Sequence, residues 1–211
     1  GQYNPAYYPV EKQEEVGREF KKCGIRASSI VTCATGNLSS NDADERDFAM
    51  EQLKRAAHLV KRLGGRQVLI GNGCGNVDFH LPRKEAFQNT IQVLKEYSKW
   101  CLNENVIVTL ELEPEHLFVN NGIESMKEII EQVGMENVYA NIDIGHLNIL
   151  REPPEKLEIL KGKIVHMHIS ENCGLAHTNS VIGTGTADIR PYILKCIELG
   201  IDKTAESIGG H

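Results

Sequence analysis

Three segments of this chain share one alternating design, and a chain that repeats it has few folds open to it. In residues 163–171, Lys-Ile-Val-His-Met-His-Ile-Ser-Glu, the side chains of Val165, Met167 and Ile169 fall on one side of an extended strand and those of His166, His168 and Ser170 on the other. In residues 106–113, Val106, Val108, Leu110 and Leu112 oppose Ile107, Thr109, Glu111 and Glu113, and Pro114 closes the strand. In residues 138–144, Val138, Ala140, Ile142 and Ile144 oppose Tyr139, Asn141 and Asp143, with a Gly-His pair following directly. Each segment buries an apolar row on one side and turns polar side chains toward a second environment. Each also ends on a residue type that binds metal ions. A short strand at 204–208 adds Glu206, so four strand ends offer Glu113, Asp143, His168 and Glu206.

Helical periodicity fills the spaces between these strands. Residues 10–23 read as a helix stopped by Gly24, 46–63 as a long helix stopped by Gly64 and Gly65, and 85–102, 123–133, 154–160 and 189–199 as further helices. Strands are expected at 25–33 and 66–71, followed by a polar loop at 34–44 and a flexible Asn-Gly-Cys-Gly-Asn loop at 72–76. Regular alternation of strand and helix predicts a parallel sheet with helices outside. Convergence of ligands from successive strand ends favours a closed (β/α)8 TIM barrel of the α/β class, with its site at the C-terminal ends of the strands. A barrel of that kind has eight strands and typically about 250 residues, whereas six strands are countable in these 211 residues. The reading therefore expects one barrel domain over 1–211 whose N-terminal strands lie outside the sequence. The strand at 25–33 carries one charge, Arg26, and no proline to blunt its edge, so a further strand in a longer polypeptide is expected to cover it.

Composition narrows the function classes. At 41% hydrophobic content the chain can bury one sizeable core. A net charge of −6 and a pI near 5.8 argue against nucleic acid as a partner. No apolar run approaches 18 residues and the first residues lack a signal-peptide pattern, so no membrane association and a cytoplasmic location are expected. A homo-oligomer is expected as well. The six cysteines follow no Cys-x-x-Cys spacing and read as small apolar residues rather than ligands. Gly183-Thr-Gly185 lacks the preceding strand and third glycine of a phosphate loop and reads as a turn.

At Leu-Glu-Leu-Glu-Pro ending at Pro114, Asn-Ile-Asp-Ile-Gly-His ending at His146, Val-His-Met-His-Ile-Ser-Glu ending at Glu171, and His177 followed by Ile182-Gly-Thr-Gly185, the chain resembles the xylose-isomerase-like superfamily of TIM barrels. That superfamily includes ketose 3-epimerases, hydroxypyruvate isomerase, inosose dehydratase and endonuclease IV. The resemblance implies one divalent metal ion, Mn2+ before Mg2+, Co2+ or Zn2+, held by Glu113, Asp143, His168 and Glu206. It also implies a small sugar or polyol substrate and a pair of metal-bound glutamates, Glu113 and Glu206, that move a proton on opposite sides of the reacting carbon. His146 would touch a substrate oxygen, with His177, His116 and Glu171 as further substrate contacts. Glu111 and His166 lie one layer deeper and are expected to serve hydrogen bonding.

The chemistry points the same way. A carbon acid beside a carbonyl is too weak to ionise at neutral pH unless a cation stabilises the enediolate and a poised carboxylate takes the proton. The first expectation is therefore a metal-dependent sugar isomerase or epimerase. A dehydratase or a C-glycoside-cleaving lyase on the same metal is the alternative, with an endonuclease IV-like phosphodiesterase or a binding protein behind it. Two departures from the pattern matter. Leu175 stands where endonuclease IV has an aspartate, which argues against a trinuclear zinc nuclease. Gly174 stands where the sugar epimerases carry an arginine, so their particular ketose-binding mode is not expected unchanged.

Overall fold

The structure, a computed structural model, describes residues 5–32, 37–77, 80–201 and 205–208. Six parallel strands form one sheet in chain order: β1 (Ile30–Thr32), β2 (Gln67–Ile70), β3 (Ile107–Glu111), β4 (Val138–Asp143), β5 (Ile164–Ser170) and β6 (Ala205–Ile208). Between them run α1 (Val10–Lys22, ahead of β1), α2 (Ala43–Arg62), α3 (Arg83–Asn103), α4 (Ile123–Val133), α5 (Ile144–Leu150) and α6 (Ile189–Glu198). Parallel neighbours in sequence order, each joined by a helical crossover, are the arrangement of a TIM-barrel wall. All six C-terminal ends accordingly lie at one edge, where the site is built.

The two rows of each strand separate as their alternation requires. Val108, Leu110, Ala140 and Ile142 are fully buried and join Leu53, Val60, Leu94, Tyr97, Met126 and Ile129 of the helices in one apolar core. Each such Val, Leu, Ile or Met side chain contributes about 1.5–3 kcal/mol when fully buried. Tyr97 satisfies its hydroxyl by donating to the Leu53 carbonyl at 2.9 Å. The polar row bonds to itself across neighbouring strands, beginning with Gln67 Nε2 donating to Thr109 Oγ1 at 3.4 Å.

Five local expectations change. The strand expected at 25–33 shrinks to β1 because the backbone ahead of it serves helix ends instead. Ile25 N–H donates to the Phe20 carbonyl and Ala27 N–H to the Leu63 carbonyl, leaving Ile25 56% exposed. Its last expected residue, Cys33, lies outside the described residues, as does Thr204. α2 starts at Ala43, earlier than its apolar stripe, because Asp42 caps it by accepting from Asp44 N–H at 2.9 Å. The segment at Pro154–Leu160 is a 3-10 helix rather than an α-helix. Ile144 opens α5 instead of ending a strand, since Asp143 is a helix cap. The loop at 72–76, expected to be flexible, is a pinned 3-10 turn at Asn72–Cys74.

Candidate functional site

Asp143 organises the centre of the site. One carboxylate oxygen, Oδ1, accepts from the N–H groups of Gly145 at 2.8 Å and His146 at 3.2 Å, which caps α5. The Ser170 hydroxyl donates to the same oxygen while accepting from Gly145 N–H at 3.1 Å. Gly145 is required here, since a Cβ would run into Ser170 Oγ and the Asn172 amide. With Oδ1 saturated, Oδ2 is left facing the interior, 3.8 Å from His168 Nδ1 and 3.9 Å from His146 Nε2.

Two groups of three side chains meet around that oxygen. Glu111, Asp143 and His168 form the deeper one, all buried. Glu111 Oε1 lies 2.6 Å from His168 Nδ1 and accepts from the Asn141 amide at 2.7 Å. The second group is Glu113, His146 and His177. His146 Nδ1 lies 2.7 Å from the Leu112 carbonyl. A carbonyl can only accept, so Nδ1 donates to it and Nε2 is the nitrogen turned to the interior. Nε2 lies 3.1 Å from His177 Nε2 and 3.7 Å from Glu113 Oε2. The two rings meet edge to face with centroids 4.3 Å apart.

Both groups open into a cavity of about 450 Å3, ample for a monosaccharide. Val31, Asn72, Glu115, Phe118 and Asn179 also line it, and among the described residues no lysine or arginine does. Concentrated negative charge has a visible effect on Glu113, which is 13% exposed. Its carboxyl is raised to about 7 in all: burial raises it most, His146 lowers it, and Glu111, Glu115 and Asp143 raise it. Burial lowers His177, and the neighbouring His146 lowers it too.

The remaining expected site residues fall in different places. Glu206 sits in β6 in register with His168 of β5, and its side chain lies outside the described residues. Glu171 is buried and turns away into its own loop. Its carboxylate accepts from the N–H groups of Asn172 at 3.1 Å, Gly183 at 3.3 Å and Ala187 at 3.0 Å, so it anchors the loop that carries His177 instead of facing the cavity. His116 is exposed and is not on the cavity wall; its carbonyl accepts from Arg83 at 2.5 Å. His166 is buried behind His168, with ring centroids 5.3 Å apart. Sequence reasoning passed over Asn141, Glu115, Phe118 and Asn72. Asn141 was signalled by its place on the ligand-bearing row of β4, whereas the other three lie on loops where no period applies.

The donor set fits a hard or borderline divalent cation. Carboxylate and imidazole atoms lie within 4.8 Å of one another in each group, and four carboxylates share a cavity that no lysine or arginine lines among the described residues.

Comparison with known proteins agrees with the architecture. The family model described as xylose isomerase-like TIM barrel matches residues 2–204. L-ribulose 3-epimerase of Mesorhizobium japonicum is 28% identical over 169 residues, covering 77% of this chain and 54% of that protein. Among solved structures, a D-tagatose 3-epimerase-like protein superimposes with a TM-score of 0.87 at 20% identity, over 96% of this chain and 77% of the other. The IOLI protein, crystallised with a bound zinc atom, gives a TM-score of 0.83 at 19% identity, over 97% of this chain and 74% of the other. The chain spans about half the length of the curated relatives it matches, 54% and 42%.

Proposed function

For a chain that belongs to the xylose isomerase-like TIM barrel family, we propose a divalent-metal-dependent sugar isomerase or epimerase that works by proton abstraction beside a carbonyl. The observation that carries the reading is the cavity of about 450 Å3 in which Glu111, Glu113, Glu115 and Asp143 gather without a lysine or arginine among the described residues. Asp143 and His168 would hold the cation, with Glu113, and with Glu206 from the adjacent register position on β6. Glu111, at hydrogen-bond distance from His168, would orient that ring or share the ion. When bound, Mn2+ or a related ion supplies positive charge that stabilises the oxyanion developing as the substrate carbon loses its proton.

The protein's own groups divide the other tasks. Glu113, half-buried on the cavity wall beside His146, is suited to take a proton from carbon and return one. Glu206 would act from the other side of the reacting carbon, which an epimerisation needs. His146, its Nδ1 held on the Leu112 carbonyl, would turn Nε2 to a substrate oxygen. His177, 34% exposed, closes the cavity from its loop. Ketoses of the kind named for the relatives, ribulose and tagatose, are the first substrates to try.

The test is turnover of a panel of ketopentoses and ketohexoses by protein stripped with a chelator and then reloaded with Mn2+, Mg2+, Co2+ or Zn2+. Epimerised or isomerised product with a reloaded ion, and none with the stripped protein, is the expected result. Turnover that survives stripping, or no turnover of any ketose by ion-loaded protein, refutes the proposal.

A further inference from the structure

We infer that Asn72 is the side chain with which this cavity reads a sugar hydroxyl, an assignment that rests on the function proposed above. β2 ends at Ile70 in register with Leu110, so Gly71 and Asn72 leave the sheet beside Glu111. The backbone then takes an unusual course. Asn72, Gly73 and Cys74 have φ of 52°, 53° and 59° in succession. The left-handed region is costly for most L-residues, tolerated by asparagine and free only to glycine. A run of this kind persists only where its surroundings over-determine it.

Those surroundings are two neighbouring loops. Asn120 N–H donates to the Gly73 carbonyl at 2.8 Å, Val119 N–H to the Gly75 carbonyl at 2.8 Å, and Val77 N–H to the Leu117 carbonyl at 2.6 Å. Gly73 packs so closely on Phe118 that no Cβ would fit. From the other side, the Ser39 hydroxyl donates to the Asn76 carbonyl at 2.6 Å, and Asn76 N–H donates to Asn37 Oδ1 at 3.2 Å. The loops after β1, β2 and β3 are thus clasped together, and the clasp fixes Asn72 on the cavity wall.

None of the hydrogen bonds among the described residues uses the Asn72 amide. Its neighbours on that wall, Glu111, Glu113 and Glu115, accept hydrogen bonds when ionised but do not donate them. An amide offers a donor and an acceptor in one plane, which matches a hydroxyl or a vicinal diol. Asn72 is exposed at the cavity mouth, and a polar group held in place by a strained turn, with no side-chain partner among the described residues, needs little further ordering to bind.

Two variants separate this role from a structural one. Asn72→Gly keeps the left-handed turn and deletes the amide, while Asn72→Asp keeps the shape and loses the donor. With metal-loaded full chain and the ketose it turns over fastest, Asn72→Gly is expected to raise KM about 3- to 10-fold, with kcat changing less than about 2-fold. For the one monodeoxy ketose lacking the hydroxyl in question, variant and wild type should give the same KM. An unchanged KM, a rise by one common factor for every deoxy sugar, or a fall in kcat larger than the rise in KM overturns the assignment. Wild-type protein that turns over no ketose overturns the function beneath it, and the assignment with it. If Asn72→Gly does not fold, Asn72→Asp decides by the same comparison.

Discussion

Asp143 and His146 each use one polar atom to hold the fold and keep the other for the site, whereas the Glu113 carboxylate accepts no hydrogen bond among the described residues and has His146 and His177 at 3.7 and 3.8 Å. Its carboxyl stays protonated to about pH 7 because burial and three neighbouring carboxylates disfavour its charge. The linkage has a definite sign. Between the ordinary value of 4.5 and about 7, the folded protein keeps a proton that the unfolded chain has released, so stability falls as pH rises through that window. In chelator-treated protein, Glu113→Gln should therefore match wild type near pH 4.5 and exceed its stability at pH 8, by on the order of 3 kcal/mol. Denaturant melts at the two pH values check this, and a constant difference between the proteins would contradict it. The residues of this site were legible in part. Asp143 and His168 follow from their strand row, as does the fact that Glu111 and Glu113 share a face. Periodicity does not say which of two glutamates on one row meets a given histidine. That depends on where β3 stops, at Glu111, and on the hydrogen bond that draws Glu111 to His168.

At the scale of elements, the loop that follows β5 depends on one buried carboxylate. Glu171 gathers N–H groups from both ends of the 172–187 segment, while Asn172 ties the same segment to α5 by donating to the Gly145 carbonyl at 2.8 Å. Gly185 has no room for a Cβ against Glu171 and the Asn172 carbonyl, so loop and anchor fit together closely. Glu171→Ala should leave buried N–H groups without acceptors, a local cost of about 1–3 kcal/mol. Hydrogen exchange across 175–187 is the measurement. Exchange faster by about 5- to 100-fold there, with the core strands unchanged, is expected from that cost; unchanged protection would mean that Glu171 anchors nothing. The family resemblance placed Glu171 among substrate contacts, although alternation puts it on the row of Val165, Met167 and Ile169, opposite His168. Its loop bonds could not be foreseen, because a turn driven by side-chain-to-backbone bonds leaves no periodic trace in sequence. The pinned Asn72–Cys74 turn escaped for the same reason, since its partners lie on loops far away in the chain.

The whole molecule was more legible than its loops. Strand–helix alternation specified a parallel barrel wall, and six strands lie in chain order with their C-terminal ends together. Errors of boundary came from helix caps, as at Asp42 and Asp143, where a side chain and not an apolar period decides where an element starts. Among the described residues no helix is long and apolar enough to cross a membrane. What this architecture achieves is a set of carboxylates and imidazoles delivered by separate strands to one acidic cavity, and the central claim is that they move a proton on carbon. The direct measurement is the fate of that proton: ion-loaded protein turns over a ketose in heavy water, and the product is examined by mass and NMR. One deuterium fixed at the reacting carbon is expected, with Glu113→Gln forming no product. Product that retains the original hydrogen at that carbon, or full incorporation by Glu113→Gln, would contradict proton abstraction by this site.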